Sequence, residues 1–164
     1  MYKPNSLRAH LTAAIPDLKR NPDKLLVFVD KGSLRTTRTA SRSFEYSYVL
    51  NVIVTDYGGD EDALMVPLLD WVTVHQADLL GNEDKSNKGI RFIVDFNNHD
   101  SVDISLELDI TERVIVNQTG NKLDITHAGE IAATPEYTAP FWQLYNGNNL
   151  LAEWQVLNPA QDNG

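Results

Sequence analysis

The sequence contains no cysteine at all, which excludes disulfides and thiolate metal centres and suits a chain that folds in a reducing compartment without requiring one. Long apolar runs are missing too. No segment approaches the roughly 20 consecutive apolar residues of a membrane-spanning helix, and the N-terminal MYKPNSLRAHL has no hydrophobic signal core. The expectation is therefore a chain that neither crosses nor enters a membrane. Positive charge is scarce: 14 Lys and Arg stand against 23 Asp and Glu, for a net charge of −9. That balance argues against a surface that grips phosphates as a whole, while leaving local basic patches open and repelling nucleic acid that passes nearby. Signatures of catalysis are absent as well. There is no glycine-rich phosphate loop, no histidine pair at metal spacing and no serine elbow. His10, His75, His99 and His127 are scattered over separate segments and read as ordinary surface or partly packed residues. No cofactor is expected.

What is present is organised around Phe44 to Gln76. Phe44, Tyr46, Tyr48, Leu50, Val52 and Val54 alternate with Glu45, Ser47, Asn51 and Thr55, so this stretch is predicted to be a strand with one face on a core. Val49 and Ile53 interrupt the polar face, which predicts partial cover there also. At Tyr57-Gly58-Gly59-Asp60 the pattern breaks. Two glycines supply positive φ for a reversal and Asp60 caps a helix, with Asp60, Glu61 and Asp62 complementing its dipole. Leu64, Leu68, Trp71, Val72 and His75 then recur at helical spacing. Pro67 predicts a kink, or a main helix that begins at Pro67.

The rest of the chain fits around that unit. Asn5 or Ser6 is expected to cap a short helix carrying Leu7, Leu11, Ala14 and Ile15, stopped by Pro16. Leu25 to Val29 reads as a short central strand. Residues 33–43 read as a mobile, basic connector. Ile90, Phe92, Val94 and Phe96, then Val102 to Ile110 in matching parity, predict an antiparallel pair with one dry and one acidic face. Arg113–Val116 and Leu123–His127 predict a second, shorter pair. Beyond a proline-containing linker, Asn146-Gly147 marks a C-terminal hairpin, which on its own would be marginal in water and should pack on the domain or on another subunit. With 164 residues the chain reads as one core domain over 1–128, a linker over 129–140, a hairpin arm over 141–157 and a tail over 158–164. The fold class is α+β: a mixed, mostly antiparallel sheet packed by two helices, with a C-terminal β-hairpin arm.

Three groups of residues stand out as candidate sites. Arg35, Arg38 and Arg42 lie among serines and threonines; they suit either a solvated loop or a patch that docks on acidic protein surface or DNA phosphates. Asp103, Glu107 and Asp109 form an acid row that suits a solvated or subunit-facing surface and, remotely, together with Asp95, His99 and Asp100 near the turn, a divalent-cation site for a metal-dependent enzyme. Trp142 and Trp154 are candidate interface anchors, or packing residues within the chain.

MYKPNSLRAHLTAAIPDL, LLVFVDKG, the Phe44–Val72 segment, VDISLELDITERVIV and WQLYNGNNLLAEW, in that order, together resemble the tail completion protein R family of P2-like contractile-tailed phages. The resemblance implies a non-enzymatic virion assembly protein with a tail-terminator-like fold, acting at the head-proximal end of the tail. It implies a ring-shaped homo-oligomer, with a hexamer among the expected numbers. Its implied partners are tail tube and sheath proteins, head-completion or connector proteins, and DNA passing through the lumen without sequence readout. The implied location is the virion tail, with assembly in the host cytoplasm. The alternative is a head–tail connector or tail-tube adaptor that does not control length. On this resemblance Arg35, Arg38 and Arg42 would reach an adjacent subunit or the tube, and Asp103, Glu107 and Asp109 would face another subunit or the lumen.

Overall fold

The computed structural model describes residues 1–36, 41–81, 83–97, 100–129 and 140–157. Two helices open the chain, α1 (Lys3–Ala14) and α2 (Pro16–Arg20), and are followed by strands β1 (Leu25–Thr36) and β2 (Phe44–Tyr57). Helices α3 (Asp62–His75), α4 (Asp78–Gly81) and α5 (Glu83–Ser86) lead to strands β3 (Ile90–Phe96), β4 (Val102–Thr119) and β5 (Lys122–His127). The chain closes on the hairpin β6 (Phe141–Asn146) and β7 (Asn149–Gln155).

The alternation read in the sequence sets the architecture. Tyr48, Leu50, Val52 and Val54 of β2 and Ile104, Leu106, Leu108 and Ile110 of β4 are buried on one sheet face. Leu7 and Leu11 of α1 and Leu64, Leu68, Trp71 and Val72 of α3 join them in one core. Each helix thus buries the apolar stripe its spacing promised, against a pleated surface of β-branched and leucine side chains. Strand order is β1-β2-β4-β3, antiparallel throughout. β4 is long enough to take two partners on its far flank: β3 beside Val102–Leu108 and β5 beside Val114–Thr119. The second pair of strands expected at 113–127 is therefore the end of one 18-residue strand and its return, joined by a tight turn at Gly120-Asn121.

Several local expectations are corrected. β1 runs on to Thr36 and lies at the sheet edge rather than its centre. Residues 33–36 are therefore strand, while 37–40, with Arg38, lie outside the described residues. α1 starts at Lys3 with Pro4 in its first turn and no side-chain cap. Ser6 is turned to other use, its Oγ accepting the Trp71 indole N–H at 3.0 Å. Pro16 opens α2 as well as closing α1. α3 begins at Asp62 and continues through Pro67 to His75; the buried Pro67 carbonyl accepts from His10 Nε2 at 3.0 Å. Ahead of α3, near the end of β2, the positive φ, 49°, belongs to Asp56, and neither Gly58 nor Gly59 has one. Gly59 is required there for space, since a Cβ would sit 2.6 Å from Tyr57 Oη. Asp60 Oδ1 does accept the Asp62 N–H, at 3.0 Å.

The C-terminal hairpin forms where Asn146-Gly147 placed it, with Gly147 at φ 59°. It lies on α1 and α3 of its own chain. Ala152 and Trp154 are buried in the core, and the Trp154 indole N–H donates to Asp70 Oδ2 at 2.8 Å.

Candidate assembly interface

Opposite the helices, the sheet presents a face with no covering layer among the described residues. Cross-strand rows follow from register: Leu26-Ile53-Ser105-Ile93, then Phe28-Asn51-Glu107-Arg91. Leu26, Phe28 and Ile93 are exposed apolar residues on it. Asn51 is buried between them, and its Nδ2 has no hydrogen-bond partner.

The acid row Asp103, Glu107 and Asp109 is on this face, as parity predicts, but it is largely satisfied within the chain. Arg91, on the neighbouring strand, donates from Nε to Glu107 Oε2 at 3.1 Å. Its Nη1 and Nη2 donate to the two Asp109 oxygens at 3.1 and 2.9 Å. The Asp109 carboxylate first, and Glu107 after it, raise the guanidinium pKa further above its ordinary value despite some desolvation. Asp103 Oδ1 accepts from the Asp56 N–H and from Asn97 Nδ2, both at 2.8 Å. Among the described residues no group of three or more His, Cys, Asp or Glu is placed to hold a metal ion. The acid on this flank that lacks a partner among the described residues is Asp95, which faces Asp103 directly across the strands, like charge against like.

At the other end of the same face the charge is reversed. Glu45 lies between Arg35 on β1 and Arg113 on β4, and these three with Ser43 and Phe44 line a shallow cleft of about 230 Å³. The Arg35 and Arg113 guanidinium groups have no hydrogen bond or ion pair with a described residue. Arg42, by contrast, donates to Gln118 Oε1 at 2.8 Å. The structure therefore separates the three arginines of the sequence motif: Arg35 is on a strand, Arg42 is engaged across the sheet, and Arg38 lies outside the described residues. Arg113 was not singled out by the sequence, although the β4 parity that picks out Asp109 places it on the same face.

The two edges of the sheet differ. On β1, the Arg8 guanidinium of α1 donates to the Leu25 and Val27 carbonyls at 3.0 and 3.3 Å. The β1 ladder is also irregular between Asp30 and Ser33, with Lys31 at φ 48°. Capping side chains and bulges of this kind discourage strand addition. Among the described residues β3 has neither device. Phe92, Ile93 and Phe96 are 62%, 64% and 77% exposed on it; of the dry face expected for this hairpin, the β4 half is buried, Ile90 and Val94 of β3 are partly buried against the core, and Phe92 and Phe96 are open.

Glu112 sits on the helix-covered side, where polarity was not expected. It is buried and accepts from the Tyr2 and Lys3 backbone N–H groups at 2.8 and 3.2 Å, at the start of α1. Tyr48 Oη donates to it in a short bond, and His127 Nδ1 is 3.2 Å away. Burial, and then the Glu112 carboxylate, push the Tyr48 phenol pKa up. The arrangement ties the N-terminal helix to the sheet, which is a structural use of charge near a helix N-terminus. Trp142 is half-buried beside a groove of about 370 Å³ formed with Val66, Leu69, Asp70, Leu144 and Trp154, and Trp154 is 7% exposed. Both tryptophans are thus occupied in holding the hairpin to its own chain.

No concave site with converging reactive groups emerges from these residues; what the sheet offers is an edge, a face and two poles of charge. Comparison with known proteins agrees with that character. No solved structure matches the chain. Over 154 residues it is 44% identical to tail completion protein R of Escherichia phage P2, covering 94% of this chain and 99% of that protein. The sequence model of P2 phage tail completion protein R (GpR) matches residues 1–131, the helices and the main sheet. The chain belongs to the P2 phage tail completion protein R family, a family of structural tail proteins and not of enzymes.

Proposed function

We propose that the protein completes the tail at its head-proximal end as a subunit of a homo-oligomeric ring, with a hexamer among the expected numbers. The ring stops growth of the tube and sheath and offers the surface on which a head-completion or connector protein docks. Subunits assemble in the host cytoplasm, and DNA later passes through the lumen without sequence readout. Family membership supports the tail role. The observation that carries the ring is the pairing of an unprotected, apolar β3 edge with charge poles of opposite sign on one subunit. Such a subunit is complementary to its own neighbour in a head-to-tail arrangement, which closes when the rotation closes. The net charge of −9 fits a lumen that repels DNA and does not hold it. Arg35 and Arg38 reach the adjacent subunit or the tube in this reading, while Arg42 is engaged by Gln118 of its own chain.

Negative-stain imaging of the purified protein, alone and mixed with tail tubes, tests the proposal; rings seated at one tube end are the expected result. Strictly monomeric protein that ignores tube ends would overturn it. In phage lacking the gene, tails of abnormal length or without heads are expected, whereas tails of normal length that lack only heads would favour the connector role.

A further inference from the structure

We infer that β3 of one copy adds as an extra strand to Ser33–Thr36 of β1 in the next copy, with Asp95 opposite Arg35. The inference rests on the ring reading above and names the contact that builds the ring. Four independent features lead to it. First, β3 is a sheet edge with its outer flank unpaired among the described residues, and it carries three exposed apolar side chains; an edge of this kind is a template for another strand.

Second, strand direction fits. The order β1-β2-β4-β3 is antiparallel at every step, so β1 and β3 run in opposite directions. A neighbour brought alongside without inversion therefore sets its β1 antiparallel to β3, and the sheet continues from copy to copy.

Third, only part of β1 is open. Arg8 holds the Leu25 and Val27 carbonyls, and the irregularity at Asp30–Ser33 follows, which leaves Ser33–Thr36 as regular, uncapped edge. The neighbour must dock with a shift along the strand, the stagger that a closed, tilted array of strands requires.

Fourth, side chains match on both faces. Register places Arg35 on the face shared with Glu45 and Arg113, and Asp95 on the face shared with Asp103. These are the same face, opposite the helices. Setting Asp95 against Arg35 puts Phe96 against Leu34 and Val94 against Thr36 on the other face. Phe96 and Leu34 are 77% and 57% exposed. Among the described residues neither the Asp95 carboxylate nor the Arg35 guanidinium has a hydrogen-bond or ion-pair partner, so pairing relieves the Asp95–Asp103 repulsion and engages this arginine. Two-fold pairing of β3 with itself centred on Ile93 would instead set Asp95 against Arg91, whose guanidinium is already bonded to Glu107 and Asp109.

The test uses the full chain. Asp95→Arg and Arg35→Asp are each expected to raise the concentration needed for ring assembly at least roughly tenfold, the scale of one lost close charge pair. The double reversal should bring it back toward wild type, as followed by mass photometry, with circular dichroism confirming an unchanged fold. Because the chain has no native cysteine, a Phe96→Cys, Leu34→Cys protein gives a second readout. On oxidation it should form a ladder of covalent oligomers up to the ring number, while either single substitution should not. Rings that assemble unchanged with one reversal, a double reversal that fails to rescue, or oxidised rings without a ladder would overturn this contact and leave the ring reading standing. A product limited to dimers would assign the β3 edge to two-fold pairing and overturn it too. A wild-type chain that never assembles overturns both.

Discussion

The Gln76 side chain stands in for a missing strand beside Thr111: its Oε1 accepts the Thr111 N–H at 3.1 Å and its Nε2 donates to Thr111 Oγ1 at 3.0 Å. The position matters because β3 ends its pairing at Leu108 and β5 begins at Val114. Between them the far flank of β4 is satisfied one group at a time, with Gly89 O at Asp109 and the Ala128 N–H at Arg113. Gln76 is itself buried and also accepts from Lys3 Nζ at 2.8 Å. Gln76→Ala removes the acceptor from a part-buried backbone N–H and should cost about 1–3 kcal/mol, read as a lower urea midpoint with an unchanged m-value. A midpoint equal to wild type would mean that water replaces the amide without loss.

Arg91 makes the second prediction. It bridges Glu107 and Asp109, and all three side chains are about half exposed, so the ion pairs stabilise modestly and are screened by salt. Arg91→Ala should lower stability by about 1 kcal/mol at low ionic strength, and the difference should shrink in 1 M salt. The same arrangement bears on cations. Calorimetry with magnesium, calcium and manganese should show no binding to the wild-type protein, because Glu107 and Asp109 are engaged by Arg91 and Asp103 by Asp56 and Asn97. Saturable heat with any of the three ions would reopen the enzymatic alternative.

The hairpin gives the third. Trp154 is buried and hydrogen-bonded to Asp70, whereas its cross-strand partner Trp142 is only half-buried. Trp154→Ala should therefore cost about 3–5 kcal/mol, as large core truncations do, and should release the arm to proteolysis. Trp142→Ala should cost clearly less. Equal losses from the two substitutions, measured by chemical denaturation, would show that the arm is not anchored through Trp154.

These relationships divide by whether the sequence could show them. Parity was sufficient for β2 and β4 because each buries one face under helices: the even residues are buried from Tyr48 to Val54, although Asn51 is covered as well, and from Val102 to Ile110. It misplaced β1, because Leu26 and Phe28 make an apolar run that looks covered on both sides, yet they are exposed on the open face. A sequence cannot tell an apolar face awaiting a partner from one already packed. Pro67 predicts a kink or a helix start because local sterics oppose it inside a helix; α3 starts before it, at Asp62, and its buried carbonyl accepts from His10. Arg91 was within reach of the reading, since parity alone puts it on the acid row's face. Gln76 with Thr111, 35 positions apart, and Arg8 with the β1 edge were not, because nothing local marks a side chain that completes a sheet.

The last prediction concerns pH. Burial, and then the negative charges of Asp17, Asp60 and Glu61, push the Tyr57 phenol up to about 12. The unfolded chain ionises this group near pH 10, as a rough reference value. A pKa raised on folding contributes stability that is complete below the unfolded value and is lost as pH rises through the folded one. Stability should accordingly fall between about pH 10 and 12, and Tyr57→Phe should flatten that slope, with Tyr48 remaining as a second raised phenol. At the acid end the sign is reversed. For Asp17, burial pushes upward but is outweighed by hydrogen bonds from Lys24 Nζ at 3.0 Å and Asn21 Nδ2 at 2.8 Å, and its carboxyl lies below the usual range. Its contribution is present above the unfolded carboxylate value, roughly 4, and is lost as pH falls through the depressed one. Asp17→Asn should therefore flatten the acid limb and leave the alkaline limb unchanged. Urea midpoints of the wild type and the two variants from pH 2 to 12 separate the two effects; a Tyr57→Phe protein with the wild-type alkaline slope would remove Tyr57 as its source.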